Sequence, residues 1–297
     1  MKIREGYMPF MGYQTYYRIA GEGSTDKVPL LLLHGGPGST HNYFEVLDRL
    51  AESGRQVISY DQLGCGLSYV EGRPELWTAE TWSRELAALR EYLGLEQVHL
   101  LGQSWGGMLA IRYLSEEAPV GVCSVILSST LSSASLWAKE QHRMIRYMDP
   151  ADQAAIARAE ETGDFSAPEY EAANEHFMLR HAAGAVTADS PECLRRPKRS
   201  GKEAYLYGWG PNEYNPTGSL KEFEYTEKLK DWKTPALIIS GTDDLCTPLI
   251  AKTMYDAIPD ARWELFRGCR HMCFVEDNER YCSLLNEWME KQEGAGR

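Results

Sequence analysis

The stretch Val98-His99-Leu100-Leu101-Gly102-Gln103-Ser104-Trp105-Gly106-Gly107-Met108 decides how this chain is read. A short apolar run ends at a glycine, a serine follows two positions later, and from Met108 to Ser115 the apolar spacing is helical. Gly102-Gln103-Ser104-Trp105-Gly106 is a G-x-S-x-G pattern. On its own such a pentapeptide carries little weight. Between a strand and a helix it carries more, because small flanking residues let the chain turn sharply and present the serine hydroxyl at the helix N-terminus.

Working outward, Val28 to Leu33 runs into His34-Gly35-Gly36-Pro37-Gly38, and Gln56 to Tyr60 runs into Asp61-Gln62-Leu63-Gly64-Cys65-Gly66. Both read as strands entering glycine-rich loops. Between them, Tyr43, Phe44, Val46, Leu47 and Leu50 fall on one face of a helix over 41–53. A second helical period spans 78–93, and Val122 to Leu127 is a further strand. This alternation predicts an α/β fold, a mostly parallel sheet flanked by helices on both faces.

From about residue 130 the strand signals vanish and long segments rich in Ala, Glu, Met and Tyr take over. Strands return at Pro235 to Ser240 and Trp263 to Phe266, with helices over 248–257 and 276–291. The expected organisation is a discontinuous core of residues 1–128 and 233–297, interrupted by a helical cap over 129–232. The cap holds a basic loop, Leu194-Arg195-Arg196-Pro197-Lys198-Arg199, and an aromatic, glycine-rich stretch, Tyr205 to Tyr214. Glu293-Gly294-Ala295-Gly296-Arg297 reads as a loose tail.

The 297 residues suffice for a large core, and 25% charged with 43% hydrophobic residues is ordinary for a globular enzyme. A formal net charge of −12 repels phosphate backbones and anionic membranes, which argues against nucleic acid as a partner. No apolar run approaches the ~20 residues of a membrane span, so no membrane association and a cytoplasmic address are expected. Seven cysteines, scattered and odd in number, are expected to be reduced thiols. Cys269-Arg270-His271-Met272-Cys273 could suggest soft-metal ligands, but no second Cys/His pair completes a set, so no metal is assigned.

A serine hydroxyl is a poor nucleophile near neutral pH and needs a histidine base oriented by a carboxylate. On a parallel sheet these partners belong in loops just after later strands. Two places qualify: Ser240-Gly241-Thr242-Asp243-Asp244-Leu245 after one strand, and Arg267-Gly268-Cys269-Arg270-His271 after the next. Of seven histidines, His271 alone has the right order and setting. Either Asp243 or Asp244 could orient it. The oxyanion donors are expected to be the N–H of Trp105, directly after the serine, and an N–H from the early glycine loop, assigned to Gly36. That loop is not a phosphate cradle, since no Lys-Ser/Thr follows it.

With these residues in hand, the chain resembles the α/β-hydrolase fold and, within it, the proline iminopeptidase family of serine aminopeptidases, including the tricorn-interacting factor type. The resemblance runs nearly end to end. It rests on His34-Gly-Gly-Pro-Gly38, Tyr60-Asp-Gln-Leu-Gly-Cys-Gly66, Gly102-Gln-Ser-Trp-Gly-Gly107, Gly210-Pro-Asn-Glu-Tyr214 and Gly241-x-x-Asp244-x-x-x-Pro248. It implies Ser104 as nucleophile, His271 as base and Asp244 as the orienting acid, leaving Asp243 as a turn residue. It also implies that Glu213 holds the substrate's free amine and that Tyr205 lies close to the nucleophile. Its nearest members carry a second amine-binding glutamate just after the triad aspartate, where this chain has Leu245. The implied substrates are short peptides or small amides, with no cofactor. An esterase, amidase or lactonase acting on a specialised small molecule is the alternative that Leu245 favours, and a non-catalytic receptor is a more distant one.

Overall fold

The computed structural model describes residues 1–24 and 26–295. Its centre is an eight-stranded sheet in the order β1-β2-β4-β3-β5-β6-β7-β8. The strands are β1 (Ile3–Phe10), β2 (Tyr13–Ala20), β3 (Leu30–Leu33), β4 (Val57–Tyr60), β5 (Val98–Gln103), β6 (Val122–Ser128), β7 (Ala236–Gly241) and β8 (Ala261–Phe266). From β4 to β8 every pairing is parallel; β1 and β2 form an antiparallel hairpin added at the β4 edge.

The continuous apolar runs have a physical origin in this arrangement. Successive side chains of a strand point to opposite faces, so a strand covered on both must be apolar at every position. Leu31, Leu33, Leu100, Val125, Leu127 and Ile238 pack into the core on one face. Their neighbours Leu30, Leu32, Leu101, Ile126, Leu237 and Ile239 pack into the other. Helix α1 (Ala79–Tyr92) and α2 (Trp105–Arg112) serve the first layer, and α10 (Asn278–Ala295) serves the second.

Between β6 and β7 lie α3 (Ala134–Ile145), α4 (Pro150–Thr162), α5 (Pro168–His181), α6 (Glu192–Arg195) and α7 (Lys202–Gly208). After β7 come α8 (Pro248–Ala257) and, past β8, the short α9 (Cys273–Glu276). Among the described residues, no helix is long and apolar enough to cross a membrane.

Three local expectations change. The segment 41–53 winds as a 3₁₀ helix, His41–Ser53, closed by Gly54 in the left-handed region with its N–H on the Ala51 carbonyl. The β1–β2 hairpin was not anticipated, because Arg4, Glu5, Gln14 and Arg18 interrupt its apolar positions; Met11-Gly12, both at positive φ, is its two-residue turn. The tail is not loose at Glu293. That residue lies in α10, pairs with buried Arg55 at 2.6 Å and accepts the Val28 N–H at 2.9 Å. Gly296 and Arg297 lie outside the described residues.

Candidate active site

Ser104 caps α2 at the end of β5 with φ 55° and ψ −126°, a conformation that side chains other than glycine seldom adopt. The neighbouring glycines are required by close approach. A Cβ on Gly102 would lie 2.3 Å from the Gly106 carbonyl oxygen, and one on Gly106 would lie 1.9 Å from the Leu33 carbonyl oxygen. The turn is held by the Ser104 N–H on the Ser128 carbonyl at 3.0 Å, and by the Thr130 hydroxyl on the Ser104 carbonyl at 2.6 Å.

Asp244 follows β7, and its buried carboxylate is fully engaged. One oxygen accepts the Ser129 hydroxyl at 2.6 Å and the Gly241 N–H at 3.1 Å; the other accepts the Cys246 N–H at 2.9 Å and meets His271 Nδ1 at 2.7 Å. Asp243 instead faces solvent, with its N–H on the Cys269 carbonyl. The two adjacent acids therefore differ in setting: Asp244 is buried against His271 and Asp243 is exposed. Burial pushes the His271 imidazolium down, but the Asp244 charge and hydrogen bond, helped by Glu213, outweigh it, so His271 titrates above its ordinary value.

Ser104, His271, Gly36, Glu213, Tyr205 and Leu245 all line one cavity of about 670 Å³. Among the described residues, no hydrogen bond joins Ser104 to His271; a contact of this kind often closes only with substrate in place. The glycine loop lies directly over the serine, since a Cβ on Gly35 would come 3.0 Å from Ser104 Cβ. Gly36 sits in that loop at φ 115°. Trp105 occupies the first position of α2, where an N–H has no intrahelical partner.

Glu213 reaches the cavity from the loop after α7. Asn212 holds that loop: its oxygen accepts the Tyr214 N–H at 3.1 Å, and its amide donates to the Tyr170 hydroxyl at 3.0 Å. The Tyr205 hydroxyl donates to Glu213 Oε1 at 2.8 Å, the only hydrogen bond to that carboxylate among the described residues. Burial raises the Glu213 pKa, opposed by the nearby His271 and by the Tyr205 hydroxyl. Leu245 is buried, with 1% of its surface exposed, and its carbonyl accepts the Gln141 amide of α3 at 2.7 Å. Its side chain adds apolar wall and no charge.

Two supporting side chains escaped the sequence reading. Gln62 ties the glycine loop to Trp105: its amide donates to the His34 carbonyl at 2.9 Å, its side-chain oxygen accepts the Trp105 indole N–H at 2.7 Å, and its own N–H donates to His34 Nε2 at 3.0 Å. Burial holds His34 neutral by lowering its pKa to about 4, which keeps Nε2 an acceptor. Gln103 accepts the Tyr43 hydroxyl at 2.9 Å and donates to the His271 carbonyl at 3.3 Å. The signal available was the unexplained glutamine in each glycine-rich motif.

His34, Asp61 and Cys65 approach one another closely enough to suggest a cation site. Their donors are already used: His34 Nε2 accepts Gln62, Asp61 accepts His41 and Leu67 N–H groups, and burial pushes the Cys65 thiol up. Among the described residues, Cys269, His271 and Cys273 do not bring their ligand atoms together in this way.

A family model described as the alpha/beta hydrolase fold matches residues 28–278. The proline iminopeptidase of Clostridioides difficile (strain 630) is 63% identical over 289 residues, spanning 97% of this chain and 99% of that protein. That of Lactobacillus helveticus is 61% identical over 295 residues, spanning 99% and 100%. The crystal structure of the Mycobacterium smegmatis proline iminopeptidase superposes with a TM-score of 0.87 at 29% identity, covering 99% of this chain and 100% of that one. On this family match and on identity above 60% over nearly the full length, the chain belongs to the alpha/beta-hydrolase fold family and, within it, to the proline iminopeptidases.

Proposed function

We propose that this chain is a serine exopeptidase that releases an N-terminal residue, proline foremost, from short peptides or amino-acid amides. His271, oriented by Asp244, takes the Ser104 proton as Oγ attacks the first carbonyl carbon, and the Gly36 and Trp105 N–H groups hold the oxyanion. His271 then gives that proton to the leaving amine, the C–N bond breaks, and a prolyl ester on Ser104 remains. Water, deprotonated by His271, attacks the ester and restores the serine. Glu213 anchors the substrate ammonium, with Tyr205 fixing its carboxylate.

The observation that carries this reading is the shared cavity: a serine on a strained turn, a histidine bonded to a buried aspartate, and one carboxylate placed to meet an amine. The helices of 129–232 act as the cap that limits the length of peptide admitted. The unpaired cysteines support a cytoplasmic site of action, and the net negative charge disfavours nucleic acid. A fluorophosphonate probe tests the nucleophile. Labelling at Ser104, with parallel loss of proline release from a proline arylamide, is expected; labelling elsewhere, or unlabelled enzyme that still loses activity, contradicts the assignment.

A further inference from the structure

The basic loop of the helical segment has no part in the chemistry above. Arg195, Arg196, Lys198, Arg199 and Lys202 crowd eight positions of a chain whose net charge is −12. The arginines are accounted for. Arg195 Nε donates to the Ser190 carbonyl at 2.9 Å, Arg196 pairs with Glu45 and Glu192, and Arg199 stacks over the Tyr69 ring at 3.3 Å. Lys198 and Lys202 have no ion pair or hydrogen-bond partner through their side chains among the described residues, and both line the active-site cavity.

The segment that carries them is pinned beside the oxyanion loop. The Gly201 N–H donates to the Gly38 carbonyl at 2.7 Å, and the Gly66 N–H donates to the Arg199 carbonyl at 2.7 Å. Lys202 precedes Tyr205 by three residues on α7, so both lie on one helix face, about 4.5 Å apart along the axis. Tyr205 is bonded to Glu213, the only carboxylate among the cavity's lining residues. The cavity lining therefore carries one carboxylate, Glu213, and two lysine cations without a side-chain partner among the described residues. Both lysines are exposed to solvent as well as lining the cavity, so an arriving carboxylate displaces no existing partner.

We infer that Lys198 and Lys202 form a subsite for the C-terminal carboxylate of the leaving fragment, so that the enzyme prefers free-acid di- and tripeptides to their amides. This rests on the exopeptidase reading and adds to it. A short zwitterionic peptide carries an ammonium at one end and a carboxylate at the other, matching the charges of Glu213 and the two lysines that line the same cavity as Ser104. Longer peptides place the carboxylate beyond the lysines and lose the pairing.

The test is the ratio of kcat/KM for a proline dipeptide to that for its C-terminal amide, which share the amine and the scissile bond. In the wild type the free acid is expected to be favoured by roughly five- to tenfold, a ratio that falls as salt is raised. In the double variant Lys198→Met, Lys202→Met the ratio collapses to about one, while Lys198→Arg, Lys202→Arg retains it. The salt series on wild-type enzyme gives an independent readout if the methionine variant does not fold. An equal ratio in wild type and methionine variant, or no free-acid preference in the wild type, overturns the subsite while leaving proline release intact. Failure of the wild type to release proline from either substrate overturns the exopeptidase reading instead.

Discussion

Replacing Glu213 with glutamine removes a charge while preserving a side-chain oxygen for the Tyr205 hydroxyl, which now sits at 2.8 Å from Oε1. Loop shape should survive, because Asn212 holds the loop through Tyr214 and Tyr170. What is lost is the ion pair with the substrate ammonium in a partly desolvated cavity, worth about 2–4 kcal/mol. That corresponds to a fall of about 30- to 1000-fold in kcat/KM for a proline arylamide. An uncharged acetyl ester, which has no ammonium to lose, should fall far less. The ester also isolates a second effect. Glu213 helps hold the His271 pKa up, and the base works in its neutral form, so activity rises with pH through that pKa. Without Glu213 the acid limb of the ester profile should move to lower pH. In the wild type, amine binding weakens as pH falls through the raised Glu213 pKa, since only the ionised carboxylate pairs with ammonium. Arylamide turnover within about threefold of wild type would refute the assignment of Glu213.

Asp244→Asn keeps the volume but removes the charge that holds His271 in place; kcat should fall by about 10⁴-fold, as in other triads, with KM nearly constant in steady-state assays. Gln62→Ala severs the link between the His34 carbonyl and the Trp105 indole, and a fall of about tenfold in kcat with little change in KM is expected from a loosened oxyanion hole. Glu85 is buried and accepts the Thr15 hydroxyl at 2.5 Å and the Leu63 N–H at 3.0 Å, yet burial lifts its pKa from 4.5 to about 7. A folded pKa above the unfolded one means that its contribution is complete below pH ~4.5 and is lost as pH rises through ~7, about 3 kcal/mol in all. Denaturant titrations should show wild-type stability declining across that window relative to Glu85→Gln, whose slope is flatter.

The catalytic strands were readable because burial on both faces forces uninterrupted apolar runs, and each run ended in the loop that now carries a site residue. Leu30–Leu33 leads to Gly36, Val98–Gln103 to Ser104, Ala236–Gly241 to Asp244, and Ala261–Phe266 to His271. The edge hairpin was not readable in the same way. β1 is largely exposed, and Arg4, Glu5, Gln14 and Arg18 break the apolar runs of both strands without a period of two, a pattern shared with many loops. Asp243 and Asp244 could be told apart from the residues only by the resemblance; in the structure the difference is that Asp244 is buried among four hydrogen-bond partners. Gln62, Tyr43 and Gln103 act through side-chain bonds to distant segments, for which no local periodicity exists. Lys198 is visible in the sequence as part of the basic loop 194–199, which does not reach Lys202, and only the fold separates the two cavity lysines from the paired arginines beside them.

Turnover of proline arylamide compared with its N-acetylated form tests the central claim most directly. If Glu213 holds a free ammonium beside Ser104, acetylation removes the positive charge, adds bulk beside that carboxylate, and should cost at least about 100-fold in kcat/KM. Equal turnover of the two substrates would contradict an amine-anchored exopeptidase, whatever the fate of the triad.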